Sequence, residues 1–169
     1  MGKLWQKGYA LDALMEEFTV GNDYLLDRNL VAADCLGSIA HARTLMEAGI
    51  LASEETAALE RALAEIIVLD RNGEFDITVS DEDCHTAIEA YLTRAVGEAG
   101  KKIHTGRSRN DQVQTALRLW MREFSLQMAL QTSLLARDLL AFAESPVDVP
   151  MPGRTHMQLA MPSSVALWA

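Results

Sequence analysis

The run Asp111–Glu144 reads DQVQTALRLWMREFSLQMALQTSLLARDLLAFAE, thirty-four residues with no glycine or proline. Val113, Leu117, Trp120, Phe124, Leu135, Leu139 and Phe142 recur at spacings of three, four and seven, the period of a helix face. Leu119, Met121, Leu126, Leu130, Leu134 and Leu140 fall on further faces, and a helix apolar over most of its circumference is buried on several sides. At 1.5 Å per residue such a rod is roughly 51 Å long, against a radius of gyration of ~15 Å for a compact domain of this size. The preceding residues alone cannot cover it. The expected fold class is therefore all-α: an N-terminal helical domain over residues 1–109, then residues 110–169 as the start of a long-helix bundle completed by further sequence and other subunits.

Just upstream stands Lys101-Lys102-Ile103-His104-Thr105-Gly106-Arg107-Ser108-Arg109-Asn110-Asp111-Gln112. It holds four of the 15 Lys and Arg residues in a chain of formal net charge −9. Cations, small donors and a helix N-terminus together describe an anion site; a solvated basic loop that caps a helix is the other reading. Hydrophobic residues make up 49% of the 169, which argues against disorder. The length suits one ordinary domain rather than two complete ones. The acidic balance argues against nucleic-acid binding, because counterion release needs an extended basic surface. Cys35 and Cys84 have no ligand-type spacing and read as buried, reduced thiols rather than a disulfide or metal site. Met1–Phe18 lacks a signal-peptide core, and no apolar run approaches the ~18 residues of a membrane span. A soluble cytoplasmic protein with no membrane partner is the expectation.

Residues 1–9 read as an extended arm anchored by Trp5 and Tyr9, and a short helix fits Leu11–Val20. Gly21-Asn22-Asp23 breaks it, with Asn22 or Asp23 placed to cap the next helix. The pattern predicts that helix over about Tyr24–Ala48. Gly37 lies among Ala32, Ala33, Ala40 and Ala42, which suits close helix approach, and Gly49 stands at C′. Ser53-Glu54-Glu55 reads as a cap with first-turn acids, opening a helix that ends at Asn72-Gly73. Ser80-Asp81-Glu82-Asp83 repeats the start signal, and the helix beyond it stops near Gly97 or Gly100. After Pro146 the chain reads as extended through Gly153 and irregular through Gln158. Pro162-Ser163-Ser164 then reads as a new helix start with Pro near N1.

Four histidines are candidates for acid–base chemistry. His41 reads as a packed or surface residue, His104 as support for the cation cluster, and His85 as a structural hydrogen-bonder ahead of a catalytic one. His156 lies in an irregular segment where no apolar periodicity demands it. Its type fits a catalytic acid or base or a substrate hydrogen-bonder, and pattern alone does not separate this from a structural role. Asp81, Glu82 and Asp83 read as first-turn capping rather than metal ligands, since no second ligand group stands at a fixed spacing. With no phosphate loop, nucleophile elbow or zinc spacing, no cofactor and no metal are expected.

The run Ile103-His104-Thr105-Gly106-Arg107-Ser108-Arg109-Asn110-Asp111-Gln112-Val113, followed by Leu117-Arg118-Leu119-Trp120, resembles the signature segment of the argininosuccinate lyase family. Delta-crystallin belongs with that family, and fumarase, aspartase and adenylosuccinate lyase more distantly. Lys3-Leu4-Trp5, Glu82-Asp83-Cys84-His85-Thr86 and Pro152-Gly153-Arg154-Thr155-His156-Met157-Gln158 match it in the same order. The resemblance implies a reversible anti β-elimination of argininosuccinate to arginine and fumarate, in arginine biosynthesis and the urea cycle. A proton leaves the carbon beside a succinate carboxylate, the carbanion is held as an aci-carboxylate, and the guanidinium nitrogen departs. Such a substrate needs cationic, amide and hydroxyl donors. The resemblance gives substrate binding to Ser108, Arg109, Asn110 and Thr155 and makes His156 the active-site histidine, with Arg107, Asp83, His85 and Gln158 in support. It further implies a homotetramer whose active sites are shared between subunits.

Departures from the family pattern are Arg154 for an aromatic residue, Met157 for Leu, and Ala160-Met161-Pro162 for Ala-Gln-Pro. Asn22 or Asp23 falls near the place of an N-terminal substrate-binding serine. The family's Gly-Ser-Ser loop, whose serine is assigned as the base, has no counterpart here, so the chain reads as an incomplete N-terminal portion, inactive alone. Chain length adds a bound. With an unbroken helix, Asn110 and Glu144 lie roughly 51 Å apart, and Ser145–Thr155 can return at most ~36 Å. Both motifs would then meet one substrate only if donated by different subunits. The alternative class is a non-catalytic, crystallin-like or truncated helical oligomer; adenylosuccinate or fumarate chemistry fits the Arg107–Asn110 run poorly.

Overall fold

Leu59, Leu63 and Ile66, on one face of a single helix, are wholly buried, and the elements on either side in sequence pack against that face. The computed structural model describes residues 12–145 and 147–169. The expected arm at residues 1–9 and its Lys3-Leu4-Trp5 match lie outside them. Helices α1 (Ala13–Val20) and α2 (Asp23–Leu26) lead through a 3-10 turn, Asp27–Leu30, into α3 (Val31–Glu47) and α4 (Ser53–Arg71). A second 3-10 turn, Val79–Asp81, precedes α5 (Cys84–Val96), α6 (Glu98–Lys102) and α7 (Arg109–Glu144). Strands β1 (Pro150–Thr155) and β2 (Gln158–Ser164) and the short α8 (Val165–Trp168) follow. These residues form two compact units that divide between Met121 and Arg122, within α7.

In the first unit α3 packs on α4, and α5 packs on α4 and α6. Val31, Cys35, Leu45, Leu59, Leu63, Ile66, Cys84, Ile88, Leu92 and Ile103 form one apolar cluster among them. Gly49, at φ 73°, closes α3: its N–H reaches the Met46 carbonyl at 2.9 Å and the Ile50 N–H reaches Leu45 at 2.9 Å, the paired bonds of a left-handed C-terminal cap. Gly100 is required by contact rather than by dihedral. A Cβ there would stand 2.5 Å from the Leu92 carbonyl carbon and oxygen, so α6 crosses the end of α5 backbone to backbone.

Several boundaries differ from the sequence reading. The helix expected over Tyr24–Ala48 is interrupted by the turn Asp27–Leu30, where the Asn29 side chain donates to the Leu26 carbonyl at 2.9 Å and competes with the helix ladder. Ser53 is the first helical residue of α4, not its cap. The cap is Ala52, whose N–H is taken by the Glu55 carboxylate at 2.9 Å. Ser80 does not open α5: Thr78 and Asp81 make the reciprocal contact around the 3-10 turn, and Asp83 caps α5 by accepting from the Thr86 N–H at 2.7 Å. Lys101 and Lys102, read as loop, form the last turn of α6.

The second unit holds the remainder of α7, then an antiparallel β1–β2 hairpin with α8 packed on β2. Helix dominates, as expected, but this hairpin was not. Pro150, Pro152 and Pro162 lie within its strands, where a missing N–H is tolerated on an edge, and Pro152 pairs with Pro162. The register shifts between Pro152 and Arg154, and a Cβ on Gly153 would collide with the Met161 carbonyl oxygen. The helix expected from Pro162 starts instead at Val165, with the Ser164 hydroxyl accepting from the Leu167 N–H.

Gly100→Ala is expected to destabilise the first unit by about 1–3 kcal/mol, the range for forcing extra volume into a packed contact. Gly73→Ala, at a positive φ with open space around its Cα, should cost less than that. Urea denaturation of the two variants against the parent checks the order.

Candidate active site

The start of α7 is built as a reciprocal cap. The Ser108 N–H and hydroxyl both reach Asp111 Oδ2, at 2.8 and 2.9 Å, and the Asp111 N–H returns to the Ser108 hydroxyl at 3.3 Å. Those bonds, the backbone one foremost, hold the Asp111 carboxyl below the usual carboxylate range. The cap also places the helix start at Arg109, two residues before the run Asp111–Glu144.

The cations of this stretch are engaged within the chain. Lys101 donates to Glu98 at 2.5 Å and Lys102 to Glu55 at 2.6 Å. Arg109 reaches Glu89 and Gln112 through Nη1 and Thr86 through Nη2, each at 3.3 Å, with Asp83 4.0 Å from its Nε. Arg107 donates from Nη2 to the Ser38 hydroxyl at 2.9 Å, while its buried Nε has no partner among the described residues. Burial lowers the Arg107 pKa, against the attraction of Asp34 and Glu89. His104 Nδ1 lies 3.4 Å from Glu89. The segment therefore carries little uncommitted positive charge. Asn110 is exposed, and helix geometry leaves the first-turn N–H groups of Arg109 and Asn110 without intrahelical acceptors.

Beneath this start lies a polar group that the sequence reading did not single out. Asp34 of α3 is 1% exposed. Its Oδ2 accepts from Gln112 Nε2 at 2.9 Å and lies 3.1 Å from His85 Nδ1. A carboxylate at that depth is tolerated only with such partners. The available signal was an acid between Ala33 and Cys35 on an otherwise small, apolar stretch. His85 itself is buried there, and Asp83 caps α5 one turn from Arg109's contacts. His41 Nε2 lies 2.9 Å from the Thr105 carbonyl, and desolvation lowers its pKa.

Cys35 and Cys84 are free and buried, and burial pushes both thiols up. Asp27, Cys84 and His85 bring ligand-type atoms within 4.8 Å of one another. Asp27 is instead occupied by the Cys84 backbone N–H at 3.3 Å, and a thiol raised by burial resists the thiolate a metal would need.

In the second unit, His156 and Met157 form the two-residue turn of the hairpin, with φ of 49° and 62°. Two successive positive φ values describe a turn usually made by Asn-Gly, so the pair holds a strain of the kind that collects at functional positions. Thr155 Oγ1 lies 2.9 Å from His156 Nδ1, and both residues are exposed. Gln158 opens β2 opposite Thr155, and Arg154 pairs with Leu159. Ser108, Arg109, Asn110, Arg107, Asp83 and His85 thus belong to one cluster in the first unit, and Thr155, His156 and Gln158 to another in the second.

Residues 6–169 match the family described as Lyase. The chain belongs to the lyase family. It is 45% identical to argininosuccinate lyase of Thermotoga neapolitana over 99% of its own length and 42% of that relative's. It is 47% identical to argininosuccinate lyase of Sorangium cellulosum, over 99% of this chain and 39% of the relative. Argininosuccinate lyase of Stenotrophomonas maltophilia is also 47% identical, over 98% and 38%. The chain therefore spans about two fifths of the length of these curated relatives. The crystal structure of fumarate lyase from Mesorhizobium sp. BNC1 superimposes with a TM-score of 0.56 at 23% identity, covering 95% of this lyase-family chain and 37% of that one; this likeness concerns the fold.

Two outcomes follow from the buried and capping carboxylates. Asp34→Ala, which strands Gln112 and His85, is expected to cost about 1–3 kcal/mol or more in denaturant unfolding, the range for leaving a buried hydrogen-bonding group unsatisfied. Asp111 has a lowered folded pKa, so its contribution is present above the ordinary unfolded value of ~3.9 and is lost as pH falls through the lowered value. Ser108→Ala should therefore move the Asp111 titration midpoint, followed by carboxyl NMR shifts, upward toward the ordinary range.

Proposed function

We propose that this lyase-family chain forms part of an enzyme that eliminates fumarate from argininosuccinate and releases arginine, as a step of arginine biosynthesis. The observation that carries the reading is 45% identity to an argininosuccinate lyase across 99% of the chain. The exposed Asn110 side chain and the N–H groups at the start of α7 suit a succinate carboxylate, since the helix dipole and unpaired donors both favour negative charge there. Ser108 and Arg109 serve the same site chiefly by holding that start in place through Asp111 and Glu89. As charge grows on the carboxylate during carbanion formation, these preorganised dipoles stabilise it without moving.

His156 handles the proton of the departing nitrogen, and Thr155 binds substrate beside it. The Thr155 contact at Nδ1 orients the imidazole and leaves Nε2 for proton exchange. The lowered net charge of the basic stretch places recognition on directed hydrogen bonds more than on bulk positive potential. No cofactor or metal enters the proposed reaction.

The shared-site expectation also belongs to this reading. Its premise, one helix from Arg109 to Glu144, is met. Phe124, Leu126, Leu130, Leu135, Leu140 and Phe142 of α7 are all more than 48% exposed, an apolar surface of the kind that partner helices cover. A homotetramer whose sites combine Asn110 of one chain with Thr155 and His156 of another accounts for both. Among the described residues no helix is long and apolar enough to cross a membrane, in keeping with a cytoplasmic enzyme.

The full-length gene product carrying this chain should release fumarate from argininosuccinate, followed by its ultraviolet absorbance, and His156→Asn should lower kcat by about 10²–10⁴-fold, the usual worth of a general acid or base. Fumarate release at equal rates in the parent and the variant, or none from the parent, would overturn the reading. Co-assembled Asn110→Ala and His156→Asn subunits should recover part of the activity that each lacks alone.

A further inference from the structure

Three polar side chains on one face of α3 each hold a different residue of the stretch that leads into and opens α7. Asp34, Ser38 and His41 stand at i, i+4 and i+7, which places them in line along the helix. Asp34 accepts from Gln112 Nε2, the Ser38 hydroxyl accepts from Arg107 Nη2, and His41 Nε2 donates to the Thr105 carbonyl, each at 2.9 Å. Asp34 and Ser38 are each 1% exposed and His41 is half-buried. Between them Gly37 admits α7 closely, because a Cβ there would lie 3.2 Å from Thr115 Cγ2.

The held stretch has little structure of its own. Residues 103–108 form neither helix nor strand, and Gly106 sits at φ 76°, a conformation with a low cost for glycine and high freedom in the unfolded chain. Apolar side chains on the same face of α3 would bury it without the desolvation cost of a carboxylate. Polar ones add direction, since a hydrogen bond weakens steeply outside a narrow range of distance and angle. We propose that Asp34, Ser38 and His41 are positioning residues. They set the placement of Ser108, Arg109 and Asn110, and hence of the donors at the start of α7, relative to substrate.

This inference rests on the reading of Asn110 and the helix start as a substrate site, and the consequence is steep because a misplacement of about 1 Å can cost about 10²-fold in rate. None of the three residues touches substrate in this scheme. His41 is the most informative position to change: Leu removes the donor to Thr105, whereas Gln carries an amide N–H that can take the place of Nε2–H.

The test uses the full-length gene product with His41→Leu, His41→Gln and Ser38→Ala. Steady-state kinetics with argininosuccinate and hydrogen–deuterium exchange of residues 105–113 are read side by side. His41→Leu and Ser38→Ala should lower kcat/KM by about tenfold or more and speed exchange in residues 105–113 while leaving that of α4 unchanged. His41→Gln should recover most of both. Wild-type kcat/KM in both His41→Leu and Ser38→Ala would overturn the proposal, as would faster exchange spread evenly over α4. If the parent protein does not turn over argininosuccinate, the functional reading fails by itself, and exchange alone then decides: unchanged protection of residues 105–113 in both variants overturns the positioning role.

Discussion

A single buried carboxylate ties together the elements on which the candidate site depends. Asp34 belongs to α3, Gln112 to the first turns of α7 and His85 to the start of α5, and they meet around Asp34 Oδ2. Taking a carboxylate out of water costs several kcal/mol unless its partners are well placed. An arrangement that misplaces either helix start therefore leaves a charge unpaired in an apolar interior of Val31, Cys35, Cys84 and Ile88.

The cations near the helix start illustrate the same economy of charge. A basic cluster in an acidic protein suggests a site for anions, yet Lys101, Lys102, Arg107 and Arg109 each have a partner supplied by an earlier helix or by their own. What the cluster provides is a set of contacts that tie the helix start to earlier helices. Under the proposed function the donors offered to substrate are neutral: the Asn110 amide and backbone N–H groups. Electrostatic stabilisation by fixed dipoles asks for such anchoring, because a donor that must reorganise during the reaction loses much of its effect. His156 follows a parallel logic in the second unit, where hairpin pairing on both sides maintains a left-handed turn that His and Met would not choose alone.

Much of the helical architecture was legible because its signals are local. Gly49 ends α3, and the uninterrupted run from Asp111 to Glu144 lies within one helix. The misplaced boundaries were of a different kind. Ala52 occupies a cap position that a pattern search assigns to Ser53, because Glu55 reaches back to its N–H. The turn at Asp27–Leu30 arises from the Asn29 side chain, with no glycine or proline to announce it. The β1–β2 hairpin was hidden by three prolines and by a turn lacking Asn-Gly, so its pairing depends on a register that no short window encodes.

Residue types and spacing were enough to establish a predominantly helical chain with a long α7, while the family resemblance supplied the candidate residues from Ser108 to Asn110 and at Thr155 and His156. These follow from helix periodicity, capping chemistry and a family signature, all readable along the chain. Only tertiary structure decided which cations remain available, that Asp34, Ser38 and His41 hold the first turn of α7 and the segment before it, and that His156 lies in a strained turn. Those facts depend on contacts between residues some 60 to 80 positions apart, such as His41 with Thr105 and Asp34 with Gln112, or on cross-strand pairing. Contacts of that kind come into being when the chain closes on itself, and no local propensity records them.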